Sequence, residues 1–423
     1  MTRTFGLLIS CVFTTVACGG APPPPSAPLA AVREPARVAE PSLSTSAESP
    51  ALAAPAESHA LAASSCGGKP LTVHFFDVGQ GLSVLVKLPD GRNILVDAGE
   101  DPNRPFCGAP CKEWNQRLLA ALPTALGSKK LDALWITHQH SDHLGGVPTV
   151  LAGLSLGAYF DNGRDLTKAG IKKARDAATA SGAQLVVESP GSATAPLPAT
   201  AEVKLTPVLP AAWPDDCLTG SKPNANECSI ALRIDYCKSS MLFTGDAENG
   251  LEGLIDPGDV NLLQVGHHAS ATSSSAGFLQ KTKPEYAVIS SGKPDEGTNG
   301  GFCHPREVTV AALTTAIGGA GSKTIKSFDG KTGCGRNKPD HWVEEPANDN
   351  IWSTARDGDV VLVTNGDGKF ARVTSGGDAS GTTGSSGGAC CKTCKTSKPC
   401  GDTCIPMANT CSKPPGCACA ATK

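Results

Sequence analysis

The residues with the clearest capacity for chemistry are His138, His140, Asp142 and His143. They sit within Trp135-Ile136-Thr137-His138-Gln139-His140-Ser141-Asp142-His143-Leu144-Gly145-Gly146, three imidazoles and a carboxylate in six consecutive positions. Imidazole and carboxylate are the donors expected around Zn, Mn or Fe. In extended backbone the side chains at i and i+2 share a face, so His138 and His140 can address one cation. The turn that follows swings Asp142 and His143 towards a second position. The chain holds nine histidines in 423 residues, a scarcity that sets three of them in six positions apart from an ordinary polar loop.

This segment, Thr-His-x-His-x-Asp-His-x-Gly-Gly after an apolar run at 131–136, resembles the signature of the metallo-β-lactamase superfamily of hydrolases. Four further segments narrow the resemblance: Phe76-Asp77-Val78-Gly79-Gln80-Gly81, Leu242-Phe243-Thr244-Gly245-Asp246-Ala247, Val265-Gly266-His267-His268-Ala269-Ser270 and Cys303-His304-Pro305. In this order they resemble the extracellular hydrolase domain of ComEC-type competence proteins and the choline-phosphate esterases of bacterial cell walls, over residues 70–373.

The resemblance implies an α/β, four-layer αββα fold and a centre for one or two divalent ions, Zn foremost, with Mn or Fe as the other choices. It places His138 and His140 on the first ion, Asp142, His143 and His268 on the second, and Asp246 between them. His267 becomes a neighbour in the substrate pocket or behind the ligands. His304 becomes a general acid, a phosphate contact or a late ligand, against the reading of a loop histidine. Asp97, at a strand end, would support a ligand histidine from behind, as outer partners do. Asp77 at the end of the first strand has a turn or cap role as its alternative, and Asn226 is either a substrate contact or a turn residue. One departure matters: no histidine occurs from Leu144 through Gly266, where the superfamily usually supplies another first-site ligand. The first ion would then use water or a carboxylate such as Asp161, or be weakly held, and a single-ion enzyme stays open.

The chemistry that follows is metal-assisted hydrolysis, in which the ion lowers the pKa of water and polarises the bond under attack. The expected substrate is a phosphodiester, in nucleic acid or in a component of the cell envelope. A non-phosphoester hydrolase of the same fold, or a tethered binding or uptake accessory with a vestigial site, are the other readings. Lys+Arg 37 against Asp+Glu 40 is near balance, so nothing marks a protein that holds nucleic acid by overall charge.

Elements must bring these segments together. Runs at 71–76, 82–88 and 93–97 read as strands, with Pro89-Asp90-Gly91-Arg92 as a turn between the last two. Helices are expected at 115–126, 147–154, 166–181 and 307–317. Further strands fall at 184–188, 203–208, 230–236, 241–244, 260–265, 285–290, 360–364 and 370–374. Lys168, Lys172, Lys173 and Arg175 on the 166–181 helix form a solvated face or a phosphate-attracting rim. The hydroxyl run 270–275 before a helix start is a candidate anion cradle. His341 and Trp342 lie in a stretch with no assignment.

The flanks read differently. Residues 1–18 carry Arg3 and an apolar run too short to span a bilayer, which fits a secretory signal. Thr15-Val16-Ala17-Cys18-Gly19 resembles a lipoprotein cleavage box, so Cys18 would carry a lipid anchor to the bacterial envelope, with plain secretion as the alternative. Residues 19–65, rich in Ala, Pro, Ser and Glu, are expected to be a disordered tether. A hydrolase domain at 66–374 is followed by a Gly/Ser linker at 375–389 and a Cys-rich tail at 390–423. Of the 18 cysteines, eight fall between Cys66 and Cys334 and eight between Cys390 and Cys419. Even numbers in both blocks point to disulfides and an oxidising compartment. Cys107 and Cys111 are expected to pair with each other or elsewhere. No transmembrane helix is expected.

Overall fold

The computed structural model describes residue 66, residues 69–218 and 223–373, and, within the tail, residues 392–394, 397–400, 403–407 and 418–420. The expected signal at 1–18, lipid site at Cys18, tether at 19–65 and linker at 375–389 lie outside the described residues.

The strands in chain order are β1 (Leu71–Phe75), β2 (Val84–Lys87), β3 (Asn93–Val96), β4 (Lys130–Trp135), β5 (Ser155–Asp161), β6 (Gln184–Val187), β7 (Val203–Val208) and β8 (Ala231–Tyr236). They continue as β9 (Ser239–Phe243), β10 (Leu262–Gln264), β11 (Tyr286–Ile289), β12 (Lys323–Phe328), β13 (Trp342–Ala347), β14 (Ile351–Ser353), β15 (Val360–Thr364) and β16 (Ala371–Val373). An eight-stranded sheet runs β16-β15-β1-β2-β3-β4-β5-β6, and a six-stranded sheet runs β14-β11-β10-β9-β8-β7. In each, one half is antiparallel and the other parallel: β3 to β6 in the first, β9, β10, β11 and β14 in the second.

Strand alternation explains the layering. Val84 and Val86 on β2 join Met241 and Phe243 on β9 in the core between the sheets, while their neighbours Leu85 and Leu242 point to opposite outer faces. Leu85 meets the helices Ala109–Leu126 and Ala169–Ala180 through Leu118, Leu122 and Ile171. Leu242 meets Asn249–Leu254, Ala276–Thr282 and Glu307–Ile317 through Leu251, Phe278 and Leu313. The result is the expected αββα stack, each fully buried Leu, Val or Phe contributing about 1.5–3 kcal/mol. Trp135, fully buried, donates its indole Nε1 to Ile230 O at 2.9 Å and so stitches the first sheet to the second.

Three expectations shift. The first helix begins at Ala109 rather than 115, because Pro110 suits a first-turn position and Cys107 and Cys111 close on each other there. The helix expected at 147–154 ends at Val150. The unassigned stretch is the hairpin β12–β13, in register from Lys323 with Ala347 to Phe328 with Trp342. All eight cysteines between 66 and 334 pair: Cys66–Cys237, Cys107–Cys111, Cys217–Cys228 and Cys303–Cys334. In the described part of the tail Cys394 pairs with Cys404. Among the described residues no helix is long and apolar enough to cross a membrane.

Candidate metal centre

Parallel strands deliver their following loops to one edge, and ligand-bearing residues collect there. β4 ends at Trp135 and releases His138, His140, Asp142 and His143. β9 ends at Phe243 and releases Asp246, and β10 ends at Gln264 and releases His267 and His268. The two sheets meet at these tips. Close backbone approach requires glycine at two places. A Cβ on Gly81 would stand 2.7 Å from Asp142 O, and a Cβ on Gly245 would collide with the Thr137 side chain. The Asp142 carbonyl also accepts Leu82 N. That close approach explains why the Asp77-Val78-Gly79-Gln80-Gly81 segment accompanies the histidine motif.

Asp142, His143, Asp246 and His268 each offer a ligand atom within 4.8 Å of the others. His143 Nε2 lies 3.2 Å from Asp246 Oδ1, and His268 Nε2 lies 3.5 Å from both Asp142 Oδ2 and Asp246 Oδ2. On the other side, His138 Nε2 is 3.8 Å from Asp246 Oδ2 and 3.0 Å from His140 Nδ1. The rings are held from behind. His143 Nδ1 meets Asp97 Oδ2 at 2.6 Å, and His268 Nδ1 meets Ser290 O at 2.7 Å. Asp97, left-handed at φ 56°, also accepts the Thr137 amide and hydroxyl.

Charge follows from these contacts. Burial disfavours the ionised forms of Asp142 and Asp246, yet His143 and His268 beside them hold both carboxyls below the ordinary range. Burial would likewise lower His143, but Asp246 and Asp97 hold it well above the usual imidazole value. Burial, with His143 beside it, pushes His138 well down. Apart from facing one another across these contacts, the Nε2 atoms of His143 and His268 and Asp246 Oδ1 are buried with no hydrogen-bond partner. Such orphans are costly unless something else satisfies them. A nitrogen and oxygen donor set of this kind fits a divalent ion of the Zn, Mn or Fe class.

The centre opens on a cleft of about 490 Å³ that Gln80, Arg104, Asn226, Phe302, His304 and Arg306 also line. His304 is buried in the cleft wall, and burial, with His267, His268 and Arg306 nearby, drives its pKa well down. Gln80 Oε1 accepts Gly292 N, which turns the Gln80 amide nitrogen to His304 Nδ1 at 3.2 Å. The neutral ring therefore carries its proton on Nε2. Sequence reasoning did not single out Arg104, Arg306, Gln80 or Glu248. Gln80 belongs to the motif that ends in Gly81, whereas nothing local marks the two arginines.

Most of the expected site residues converge: His138, His140, Asp142, His143, Asp246, His267, His268 and His304 around the cleft, Asp97 behind His143, and Asn226 at the rim beside Glu248. Asp77 does not join them. Its carboxylate faces Arg117 at 3.1 Å and its own turn at Gly79 N, the cap role given as its alternative. Asp161 is not a spare ligand either, because Arg175 binds its two oxygens at 2.7 and 2.8 Å. That bond removes Arg175 from any rim, and Lys172 pairs with Asp176 in the same way. The hydroxyl run is no open cradle, since Glu252 already accepts the amides of Ser274 and Ser275.

With this geometry in place, comparison defines the class. Residues 76–157 match the model of the metallo-beta-lactamase superfamily, which agrees with the four layers and the position of the histidine motif. The chain thus has the metallo-β-lactamase fold with a candidate metal site. Its curated homologues are ComEC-type competence proteins. ComE operon protein 3 of Bacillus subtilis is 27% identical over 254 residues, covering 57% of this chain and 30% of the relative. Recombination protein 2 of Haemophilus influenzae is 28% identical over 235 residues, covering 52% and 24%. The chain therefore spans about a quarter to a third of the length of these relatives. The crystal structure of human tRNase Z, short form, is similar over 52% of this chain and 92% of its own at 15% identity, with a TM-score of 0.32.

Proposed function

We propose that the chain is an exported metal-dependent phosphodiesterase. The observation that carries this reading is the convergence of buried, unpartnered ligand atoms on His143, His268 and Asp246 at the floor of a cleft walled by two guanidinium groups. His138, His140, Asp142, His143, Asp246 and His268 would hold one or two divalent ions, Zn foremost. When bound there, the metal supplies an activated water and an electrophile for the phosphoryl oxygen.

The chain's own groups do the rest. Arg104 and Arg306 bind the anionic diester, for which planar guanidinium donors are well matched. Arg104 is anchored by its bond to Ser141 Oγ, and Arg306 by Phe302 O and by the Phe328 ring 5.2 Å away. His304 would offer its Nε2–H to a substrate oxygen, with Gln80 donating to Nδ1 and so keeping the proton on Nε2. His267 Nδ1 meets Glu248 Oε1 at 2.9 Å, and although burial works against its charge, Asp246 and Glu248 raise its pKa above the ordinary imidazole value. Four disulfides in the described domain support an oxidising compartment. A lipid-anchored or secreted envelope protein acting on nucleic acid or a cell-surface diester accords with this.

The test is hydrolysis of bis(4-nitrophenyl) phosphate by metal-loaded protein, chelated protein and Asp246→Asn. Turnover that needs the metal and drops by at least about 10²-fold in the variant supports the reading, as loss of an electrostatic centre should. Turnover indifferent to chelator and to Asp246 defeats it.

A further inference from the structure

Four histidines around Asp246 follow one scheme: one ring nitrogen tied to an oxygen, the other turned to this carboxylate. His143 is tied to Asp97 and His268 to Ser290 O. His138 Nδ1 stands 3.3 Å from Thr137 Oγ1, and its Nε2 stands 3.8 Å from Asp246 Oδ2. His267 repeats the scheme: its Nδ1 meets Glu248 Oε1 at 2.9 Å and its Nε2 lies 3.8 Å from the same Asp246 Oδ2.

We infer that His267 is the third nitrogen ligand of the His138–His140 position. It supplies from the tip of β10 the imidazole that residues 144–266 lack. This rests on the reading that the cleft holds divalent ions. Ligating histidines characteristically hold a carboxylate or carbonyl with their second nitrogen, which fixes tautomer and orientation. Glu248 is itself fixed for the task, accepting from Asn224 Nδ2 at 2.8 Å, Asn226 Nδ2 at 3.0 Å and Thr272 Oγ1 at 2.9 Å.

The backbone makes the double use possible. In a strand, successive side chains point to opposite faces. Here His267, His268 and Ala269 are all left-handed, with φ of 46°, 53° and 63°, so two adjacent rings reach one carboxylate oxygen. Left-handed non-glycine residues are strained and persist where the surroundings enforce them. Asp246 Oδ2 thus has His138 and His267 Nε2 at 3.8 Å and His268 Nε2 at 3.5 Å.

The experiment uses the full chain, stripped with chelator, dialysed and titrated with Zn²⁺ by calorimetry, with bound metal counted by mass spectrometry after desalting. Wild type is expected to bind two ions. His267→Ala is expected to bind one, with the affinity of the remaining site within about threefold of its original value. Glu248→Gln is expected to keep both sites and to weaken one about 10–100-fold, as loss of an outer partner does. Circular dichroism melts of the metal-free proteins check folding, and if His267→Ala does not fold, Glu248→Gln decides alone. Two ions bound to His267→Ala with both affinities unchanged overturn the inference, as does a wild type that binds one ion regardless of His267. Wild type that binds none overturns the metal reading itself, and the inference with it.

Discussion

His143 stands between two carboxylates, its Nδ1 2.6 Å from Asp97 Oδ2 and its Nε2 3.2 Å from Asp246 Oδ1, with all three side chains sealed from solvent. Asp97 also takes both donors of Thr137, so one acid at the end of β3 sets the geometry of the loop that leaves β4. Asp97→Asn keeps the shape but loses the charge that orients His143. Metal affinity is expected to fall about 10–100-fold. The metal-free protein should also lose several kcal/mol, on the order of the 3–5 kcal/mol for a broken buried pair. Calorimetric titration and urea unfolding measure the two, and unchanged metal affinity would remove Asp97 from the centre.

Arg104 and Arg306 should matter for substrate capture. Replacing either by Ala is expected to raise KM for an aryl phosphodiester about 10-fold or more, from the loss of a charge-assisted hydrogen bond of about 1.5–3 kcal/mol. Metal content should stay the same. A KM that does not move in either variant would show that the cleft holds its substrate elsewhere.

Trp135 tests the junction of the sheets. Trp135→Phe leaves Ile230 O without its donor and is expected to cost about 1–3 kcal/mol. Trp135→Ala adds a cavity and should cost about 3–5 kcal/mol. Chemical denaturation of the two variants should rank them in that order, and equal losses would mean that the indole bond contributes nothing.

Acid stability has a defined contributor away from the cleft. Burial works against the charge of Asp357, but Arg356, the Ser353 amide and Arg372 hold its pKa below the ordinary 3.8. A folded-state pKa below the unfolded one stabilises above the unfolded value of about 3.9. That stabilisation is lost as pH falls through the lower, folded value. Asp357→Asn should therefore be less stable at neutral pH by about 1–3 kcal/mol, and the gap should close below about pH 4. A gap constant from about pH 6 to about pH 3 would contradict the assignment.

Much of the fold and of the site is legible in the order of residues alone. The succession of five motifs, the strand ahead of His138 and the alternation on β7, β8 and β15 are local signals, and they lead to the fold and to the six ligand candidates. The limits of local reasoning show at Asp77 and Asp161. Each is an acid at the end of a buried strand, as Asp97 and Asp246 are, and no neighbour in sequence separates the four. Arg117 lies 40 residues from Asp77 and Arg175 lies 14 from Asp161, and these partners claim their carboxylates first.

The amino-acid sequence by itself determined which candidate donors the chain carries and which strands precede them, because donor type and hydrophobic period are written residue by residue. Only the tertiary structure decided which of those donors are free to face a common point. That outcome depends on what competes for each buried charge: Arg175 for Asp161, His143 for Asp97, Glu248 for His267. Such competition is settled by distances between segments more than two hundred residues apart in places, as between Gly81 O and Ser290 Oγ, separated by 209 positions and joined at 2.8 Å.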